Sequence, residues 1–524
     1  MRQEVDFLKI FQKSCSTLQD INLGCCIFSS DMSASLGIFL GNQTNLKLLN
    51  LFQTDISHQI GKTMFENISP TCCNIEDLNL DSGTLSSDMS ILLGRFVGFQ
   101  KNLRKLNLYE TKVNCEIGKN IFENIPQSSS NIEELKSFNF SIEMGNPLGK
   151  FIGYQTNLRH LNLNETDISG EIGKSIFGNL PKSCTSIEKL QLDCCKFSLE
   201  MSTPLGRFIG NQTNMKHLSH YATNISNEIG NNIFKTIPNS CCNIEELQLD
   251  SCTFSIEMAA LLGEFIGNQQ NLRYLNLSEA TIGGKIRKEM FEHISDFCCN
   301  IEELELDSCN FIIEMSIPLG IFIRHQRNLR KLSLFSANLS GEIGSNIFKY
   351  ISQFCLNIEE LNLRGCIFSI EMSFQLGYFI GNQTILSHLD ISQTDVSGDV
   401  GQNIFESICQ KCCNIDELNA DHCQFSSEMS FPFGKFIGNQ VNLRKLNIFS
   451  TNLMGDIDKN IFEILSESCC NIEELNASCC CFSMEMSSSF GKFLKTQVNL
   501  KKVNLYNANM CDETRRIVFE SLPN

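Results

Sequence analysis

The amino-acid sequence predicts an α/β solenoid in which a short parallel strand and a helix alternate along the chain. Three observations predict it. The first is a repeat. Openings of the type Asn-Ile-Glu-Glu-Leu start at Asn74, Asn131, Ser186, Asn243, Asn300, Asn357, Asn414 and Asn471, with a weaker copy at Thr17. They stand 57 residues apart, except for 55 between Asn131 and Ser186. Openings of the type Asn-Leu-Arg-Lys-Leu start between them, at Asn45, Asn102, Asn157, Asn214, Asn271, Asn328, Ile385, Asn442 and Asn499. The chain is thus nine double units, or eighteen half-units alternating between 28 and 29 residues, and a period of this size marks a stacked array. The second observation is a change of hydrophobic period inside each half-unit. The third is the lack of any Pro-rich, Gly/Ser-rich or single-charge linker.

The half-unit from Asn243 shows how each element arises. With Ile244 as position 1, Leu247 and Leu249 fall at positions 4 and 6 between polar neighbours, the period of a strand buried on one face. Cys252 and Phe254 follow at positions 9 and 11. Met258, Leu262, Phe265 and Ile266 then fall at i, i+4, i+7 and i+8, one face of a helix. Ser255 is expected to cap that helix, with Glu257 in its first turn. Gly267, like Gly41, Gly153, Gly210, Gly381 and Gly438, is expected just beyond the helix in a left-handed C-terminal turn. One strand and one helix per half-unit, all running one way, must stack as a parallel sheet lined by helices. Two irregularities in the sheet are expected. One lies where the half-unit 131–156 lacks two residues around Lys136–Phe138, the other where His220 takes a position 6 otherwise held mostly by Leu or Ile.

These motifs, LxxLxLxxCxF and LxxLxLxxTxI, resemble the leucine-rich repeat. The 28/29 alternation with Cys or Thr at position 9 is similar to the ribonuclease-inhibitor-like subclass, which also forms the C-terminal region of NOD-like receptors. The resemblance implies an α/β leucine-rich-repeat horseshoe, with the parallel sheet on the concave face and helices on the convex one. It implies a single domain over 1–524. A partial repeat helix would occupy 1–16, repeats 17–498 and a charged capping repeat 499–524. It further implies a non-enzymatic protein-interaction scaffold in the cytoplasm, in the style of the sensing or autoinhibitory part of an innate-immunity protein. A free-standing inhibitor or adaptor like ribonuclease inhibitor, or a GTPase regulator, are the alternatives.

Composition narrows the partners. The net charge of −17 disfavours nucleic acid and anionic membrane. No run approaches the ~18–20 apolar residues that span a bilayer. The first residues have no signal-like apolar core, so an intracellular setting is expected and Asn-x-Ser/Thr triplets such as those at Asn42 and Asn211 read as accidents of the repeat. Because the chain starts inside a half-unit, a further domain or partner is expected to cover that end. The 27 cysteines do not suggest a disulfide scaffold. Cys195, Cys252, Cys309, Cys366, Cys423 and Cys480 form one column two strands apart, roughly 9.6 Å at ~4.8 Å per strand, beyond disulfide reach. A second group, Cys72/Cys73, Cys241/Cys242, Cys298/Cys299, Cys412/Cys413 and Cys469/Cys470, has no zinc spacing and is expected to close the helix before each strand as small buried thiols. Cys409-x-x-Cys412 stands without a second such pair.

Catalytic motifs are wanting. Gly173-Lys174-Ser175 and Gly61-Lys62-Thr63 look like the end of a phosphate loop, but Ile168 and Ile56 hold the place of its first glycine. His160, His217 and His388 share a position-3 column, and His217 with His220 has HxxH spacing on a strand rather than a helix. No enzyme activity, cofactor or metal is expected. Positions 2 and 3 are acidic in one half-unit and basic in the next: Glu245/Glu246, Glu302/Glu303 and Glu359/Glu360 against Arg104/Lys105, Arg330/Lys331 and Arg444/Lys445. That pattern reads as a self-neutralising ladder between strands rather than as a binding surface. Position 7 stands apart from the scaffold. It holds Phe52, Tyr109, Tyr221, Phe335, Phe449 and Tyr506 in one set of half-units, whose other three copies have Asn164, Ser278 and Ser392, and Asp81, Asp193, Asp250, Asp307 and Asp421 in the other set. A row of rings interleaved with acids is expected to bind a protein partner, since aromatics dominate interfaces. The competing reading folds the rings back to seal the core edge.

Overall fold

The computed structural model describes residues 17–522, apart from 112–114, 127–130, 137–141, 181–184, 226, 238–242, 283–287, 295–297, 409–411, 413, 452–455, 469–470 and 485. The expected partial helix over 1–16 lies outside these residues, as do Cys241, Cys242, Cys409, Cys413, Cys469 and Cys470. The chain forms two compact units, Met1–Leu261 and Leu262–Asn524. Each unit repeats one motif: a three-residue strand, a tight turn, and a helix that returns antiparallel to the strand for the next repeat.

In the first unit the parallel strands run from Asp20–Asn22 and Leu48–Asn50 to His217–Ser219 and Glu246–Gln248. In the second they run from Tyr274–Asn276 and Glu303–Glu305 to Lys502–Asn504. Like positions pair within each unit, as Leu304 with Leu332, Leu332 with Leu361, and Leu361 with Leu389. The register holds through both places where irregularity was expected. Glu134–Lys136 pairs without a slip with Lys105–Asn107 and His160–Asn162, so the two-residue deletion does not shift the strand; residues 137–141, on which the rest of the expectation falls, lie outside the described residues. The strand before His220 also stays in register, and the His220 N–H donates to the Gln248 carbonyl at 2.9 Å. A period-2 backbone needs a side chain of roughly the right size at position 6, and the imidazole supplies one.

Leu or Ile at positions 1, 4 and 6 and one face of each helix form the core. Phenylalanines of successive helices meet along it, at 5.4 Å for Phe177–Phe208 in the first unit and 5.4 Å for Phe348–Phe379 in the second. Such tilted pairs add to their area burial. The thiols of the position-9 column are buried and free. Each donates to the position-6 carbonyl of the preceding repeat, as Cys195 to Leu163 at 3.0 Å and Cys366 to Leu334 at 2.9 Å. Threonines in the alternate repeats reach position-6 carbonyls too, as Thr451 to Ile448 at 2.8 Å, and Cys480 reaches that same oxygen at 2.9 Å. Cys or Thr at position 9 thus satisfies a carbonyl that the strand end leaves open. The second cysteine group is corrected. Cys72, Cys298 and Cys412 are buried but sit in the connection after the helix, while Cys73 and Cys299 are half-exposed.

The helix ends also differ from expectation. Gly41, Gly267, Gly381 and Gly438 are the last helical residues, and Gly153 and Gly210 lie one residue inside; none is left-handed. A Cβ on Gly41 would meet the Ser69 backbone nitrogen at 2.4 Å, so close helix packing, not a turn, requires glycine there. Ser255 has the extended backbone of an N-cap but makes no side-chain capping bond. Its counterparts act across repeats instead. The hydroxyls of Ser86, Ser198, Ser369 and Ser426 accept from the N–H of His58, Gly170, Gly341 and Gly398, at 2.7–2.9 Å.

His220 is fully buried against Phe197, with ring centroids 5.7 Å apart, and its Nδ1 has no partner. Burial lowers its pKa from the ordinary 6.5 to about 4. The unfolded chain therefore takes up a proton near pH 6.5 that the folded chain refuses until about pH 4, so stability falls as pH falls through that window. At pH 5 the loss is expected to be about 2 kcal/mol relative to pH 7. His220→Leu should remove this component from urea unfolding curves. An identical acid dependence in the variant would refute it.

Candidate protein-binding face and rim

The sheet exposes positions 2, 3 and 5 on one face, and position 7 forms the rim where each strand ends. The charges at positions 2 and 3 pair across adjacent strands. Lys47 meets Glu76 at 3.1 Å, Arg104 meets Glu133 at 2.7 Å, and Lys216 meets Glu245 at 3.0 Å. In the second unit Arg330 meets Glu359 at 2.6 Å, Arg444 meets Asp416 at 2.5 Å, and Lys502 meets Glu474 at 2.8 Å. The hydrogen bond from Arg104 holds the Glu133 carboxyl below the usual carboxylate range. The ladder reading of these columns is borne out. The histidine column joins it: His217 Nδ1 lies 2.7 Å from Glu246, and His388 Nε2 lies 3.7 Å from Glu417. His388, Asp416 and Glu417 bring ligand atoms within 4.8 Å of one another, but Arg444 and Lys445 already engage the two carboxylates. The phosphate-loop look-alikes are packing sites. A Cβ on Gly173 would meet the Ile168 carbonyl at 2.2 Å, and one on Gly61 would meet the Ile56 carbonyl at 2.0 Å.

In the second unit the exposed face forms a trough of about 830 Å³ from Glu303 to Asn504, floored by the paired charges and by an asparagine row including Asn419, Asn447 and Asn476. Those asparagines have a defined task. Asn447 Oδ1 accepts from the Phe449 N–H at 3.1 Å, and Asn50, Asn107 and Asn504 do the same for Phe52, Tyr109 and Tyr506. The next residue, position 8, is left-handed, with φ between 50° at Glu110 and 66° at Gly365. Its N–H donates to the position-7 carbonyl of the following repeat, as Ser308 to Phe335 at 2.6 Å and Cys479 to Tyr506 at 2.9 Å. Side-chain caps and backbone bonds together hold position 7 in a fixed turn. Gly365, and to a lesser degree Asn507 and His422, are residue types that favour this turn; the other described residues adopt the strained φ because the stack supplies the bonds.

None of the six rim rings is buried. Phe52, Tyr109, Phe335 and Phe449 are half-buried, Tyr221 is 44% exposed and Tyr506 78% exposed. Tyr109 bonds to Glu165, and burial first, then that bond, pushes its hydroxyl up to about 12. Arg364 lies over Phe335 at 5.6 Å, and His422 meets Phe449 edge-on at 4.8 Å. The acids fall into different roles. Asp193 Oδ1 accepts from Ser219 and, at 2.9 Å, from the Tyr221 N–H. Asp307 Oδ1 likewise accepts from Ser333 at 2.5 Å and from the Phe335 N–H at 2.8 Å. These two stand in for the missing asparagine where position 5 of the next strand is serine. Asp81 accepts from Ser82 at 2.7 Å, and Asp250 is half-buried. Asp421 Oδ2 holds His422 Nδ1 at 3.0 Å, while its Oδ1 has no partner. Position 7 and its acids were legible in the sequence; the asparagine caps beside them were not singled out, although the Asn at position 5 recurs with the same period.

No protein-family profile matches the chain. It is 21% identical over 376 residues to a mouse (Mus musculus) NACHT, LRR and PYD domains-containing protein 14, covering 72% of this chain and 38% of that protein. It is 21% identical over 292 residues to mouse ribonuclease inhibitor, covering 55% of this chain and 64% of the relative. The match therefore spans less than two-fifths of the larger relative. Among solved structures, an LRR protein of Leptospira interrogans aligns over 98% of this chain and 92% of its own at 16% identity, with a TM-score of 0.42. Among the described residues no helix is long and apolar enough to cross a membrane. The chain is an α/β leucine-rich-repeat solenoid, and its repeats resemble those of ribonuclease inhibitor and of the NACHT, LRR and PYD domains-containing proteins.

Proposed function

We propose that the chain is a non-enzymatic interaction scaffold that binds a protein partner across the exposed sheet face and its position-7 rim. The observation that carries this is the state of the six rings: every one is at least partly exposed, on turns fixed by backbone bonds. Rigid aromatic groups with little entropy to lose suit an interface. The ladder beside them is internally satisfied, so the rim carries the specificity. By analogy with the NACHT, LRR and PYD domains-containing relatives, the setting is a cytoplasmic immune-sensing or autoinhibitory assembly, with further domains beyond the span compared.

The test is a comparative capture experiment on the full chain. The combined variant Tyr109→Ala, Phe335→Ala and Phe449→Ala is set beside wild type and the helix-face variant Phe374→Ala, which alters an exposed ring away from the sheet. Proteins retained by wild type and Phe374→Ala are expected to be lost from the rim variant, with its melting temperature within about 2–4 °C of wild type. Retention of the same proteins by the rim variant sinks the reading. A large drop in melting temperature would place the rings in the core instead.

A further inference from the structure

We infer that the rim of the second unit takes a basic segment, with arginine or lysine side chains about three residues apart in an extended, polyproline-like strand. The inference rests on the rim reading above and names the chemistry of the partner. Its basis is what the chain already lays on its own rings. The Arg364 guanidinium sits over Phe335 at 5.6 Å, the geometry of a cation–π contact, and its buried Nε has no hydrogen-bond partner. At Phe449 the His422 imidazole meets the ring at 4.8 Å and is held by Asp421. One ring of this rim thus carries a guanidinium over its face, a second carries an imidazole against its edge, and the third, Tyr506, is 78% exposed.

The acids follow the same logic. Asp307 Oδ1 is spent on Ser333 and the Phe335 N–H. Around Asp421 the next strand has Asn447, which caps the Phe449 N–H itself, and Asp421 Oδ1 is left without a donor. His422 is exposed, so an incoming side chain can displace it and take its place against the ring and at Asp421 Oδ2, while Oδ1 stays buried. Positions 5 and 7 across the second unit's trough add Glu305 and Asp390, with Arg364 the one base among them. The charges at positions 2 and 3 pair with each other, so the balance of charge at positions 5 and 7, on the rim and the face beside it, is negative. Spacing completes the argument. Phe449 and Tyr506 belong to strands two steps apart, ~9.6 Å at ~4.8 Å per strand. Three residues of polyproline II span ~9.3 Å at ~3.1 Å each.

The probe is a fluorescein-labelled (Arg-Pro-Pro)4 peptide, compared with four arginines alternating with single prolines, titrated against the full chain by fluorescence anisotropy at two salt concentrations. The first peptide is expected to bind more tightly. Phe449→Ala and Tyr506→Ala should each weaken it by about two- to fivefold. Arg364→Ala should strengthen binding by a similar factor by uncovering Phe335, a gain that loss of folding cannot produce, and the gain should vanish when Phe335→Ala is added. Equal binding of both peptides, indifferent to the three rings, would be diffuse attraction to a chain of net charge −17 and overturns the inference. So does a gain in Arg364→Ala that survives Phe335→Ala. No binding of (Arg-Pro-Pro)4, with partners still lost from the rim variant of the capture experiment, overturns the basic segment but leaves the rim reading standing. Failure of both experiments removes both.

Discussion

Gln383→Leu is expected to lower the free energy of unfolding by about 2–5 kcal/mol, although it buries more apolar surface than it removes. Gln383 is fully buried at the end of the helix Ile370–Gly381. Its Nε2 donates to the Cys355 carbonyl at 2.7 Å and to the Phe379 carbonyl at 3.0 Å, and its Oε1 accepts from the Ile358 N–H at 3.1 Å. One side chain thus ties its own helix to the connection into the previous strand. Leucine fills the space and orphans the Ile358 N–H and the Cys355 carbonyl in a dry site, at about 1–3 kcal/mol each. The same latch recurs at Gln100, Gln326 and Gln440. The control is Gln402→Ala, which removes only a surface bond to Glu406 and should change stability by less than about 0.5 kcal/mol. Urea unfolding of the three proteins decides the matter. A midpoint for Gln383→Leu no lower than that of the control would show that the latch does not matter.

Gly377→Ala is expected to cost about 3 kcal/mol or more, opposite in sign to helix propensity, which favours alanine by ~1 kcal/mol in a helix interior. A Cβ at Gly377 would lie 2.3 Å from the Ile404 carbonyl oxygen and 2.7 Å from Ser407 Cβ. Both belong to the next helix, Gly398–Ser407, whose backbone must retreat to admit a methyl group. Gly263 and Gly434 occupy the same place in their helices, with a Cβ meeting Met290 O at 2.2 Å and Ile461 Cα at 3.2 Å. The looser contact makes Gly434→Ala the milder variant. Gly341→Ala is the comparison for backbone strain alone: φ is +62° with ψ −139° and nothing lies within 4 Å, so about 1–3 kcal/mol is expected. If Gly377→Ala is as stable as wild type, the close helix packing is not what holds glycine there.

The sequence by itself determined the period, the strand and helix in each half-unit, the burial of positions 1, 4 and 6, and the pairing of charges at positions 2 and 3. All of these follow from local periodicity and from like positions stacking on like, which a repeat displays in one dimension. Position 7 was legible as a column for the same reason. The tertiary structure alone decided what depends on a neighbour one repeat away. Glycines such as Gly41 looked like helix ends, yet close approach of the next helix requires them. Ser255 looked like a cap for its own helix, yet its counterparts Ser198 and Ser369 serve the helix before. Asp307 and Asp421 are equivalent in sequence, yet Ser333 and the Phe335 N–H occupy one while Asn447 relieves the other. Each difference turns on a hydrogen bond or a van der Waals contact between residues about 28 positions apart, and no single half-unit contains both partners.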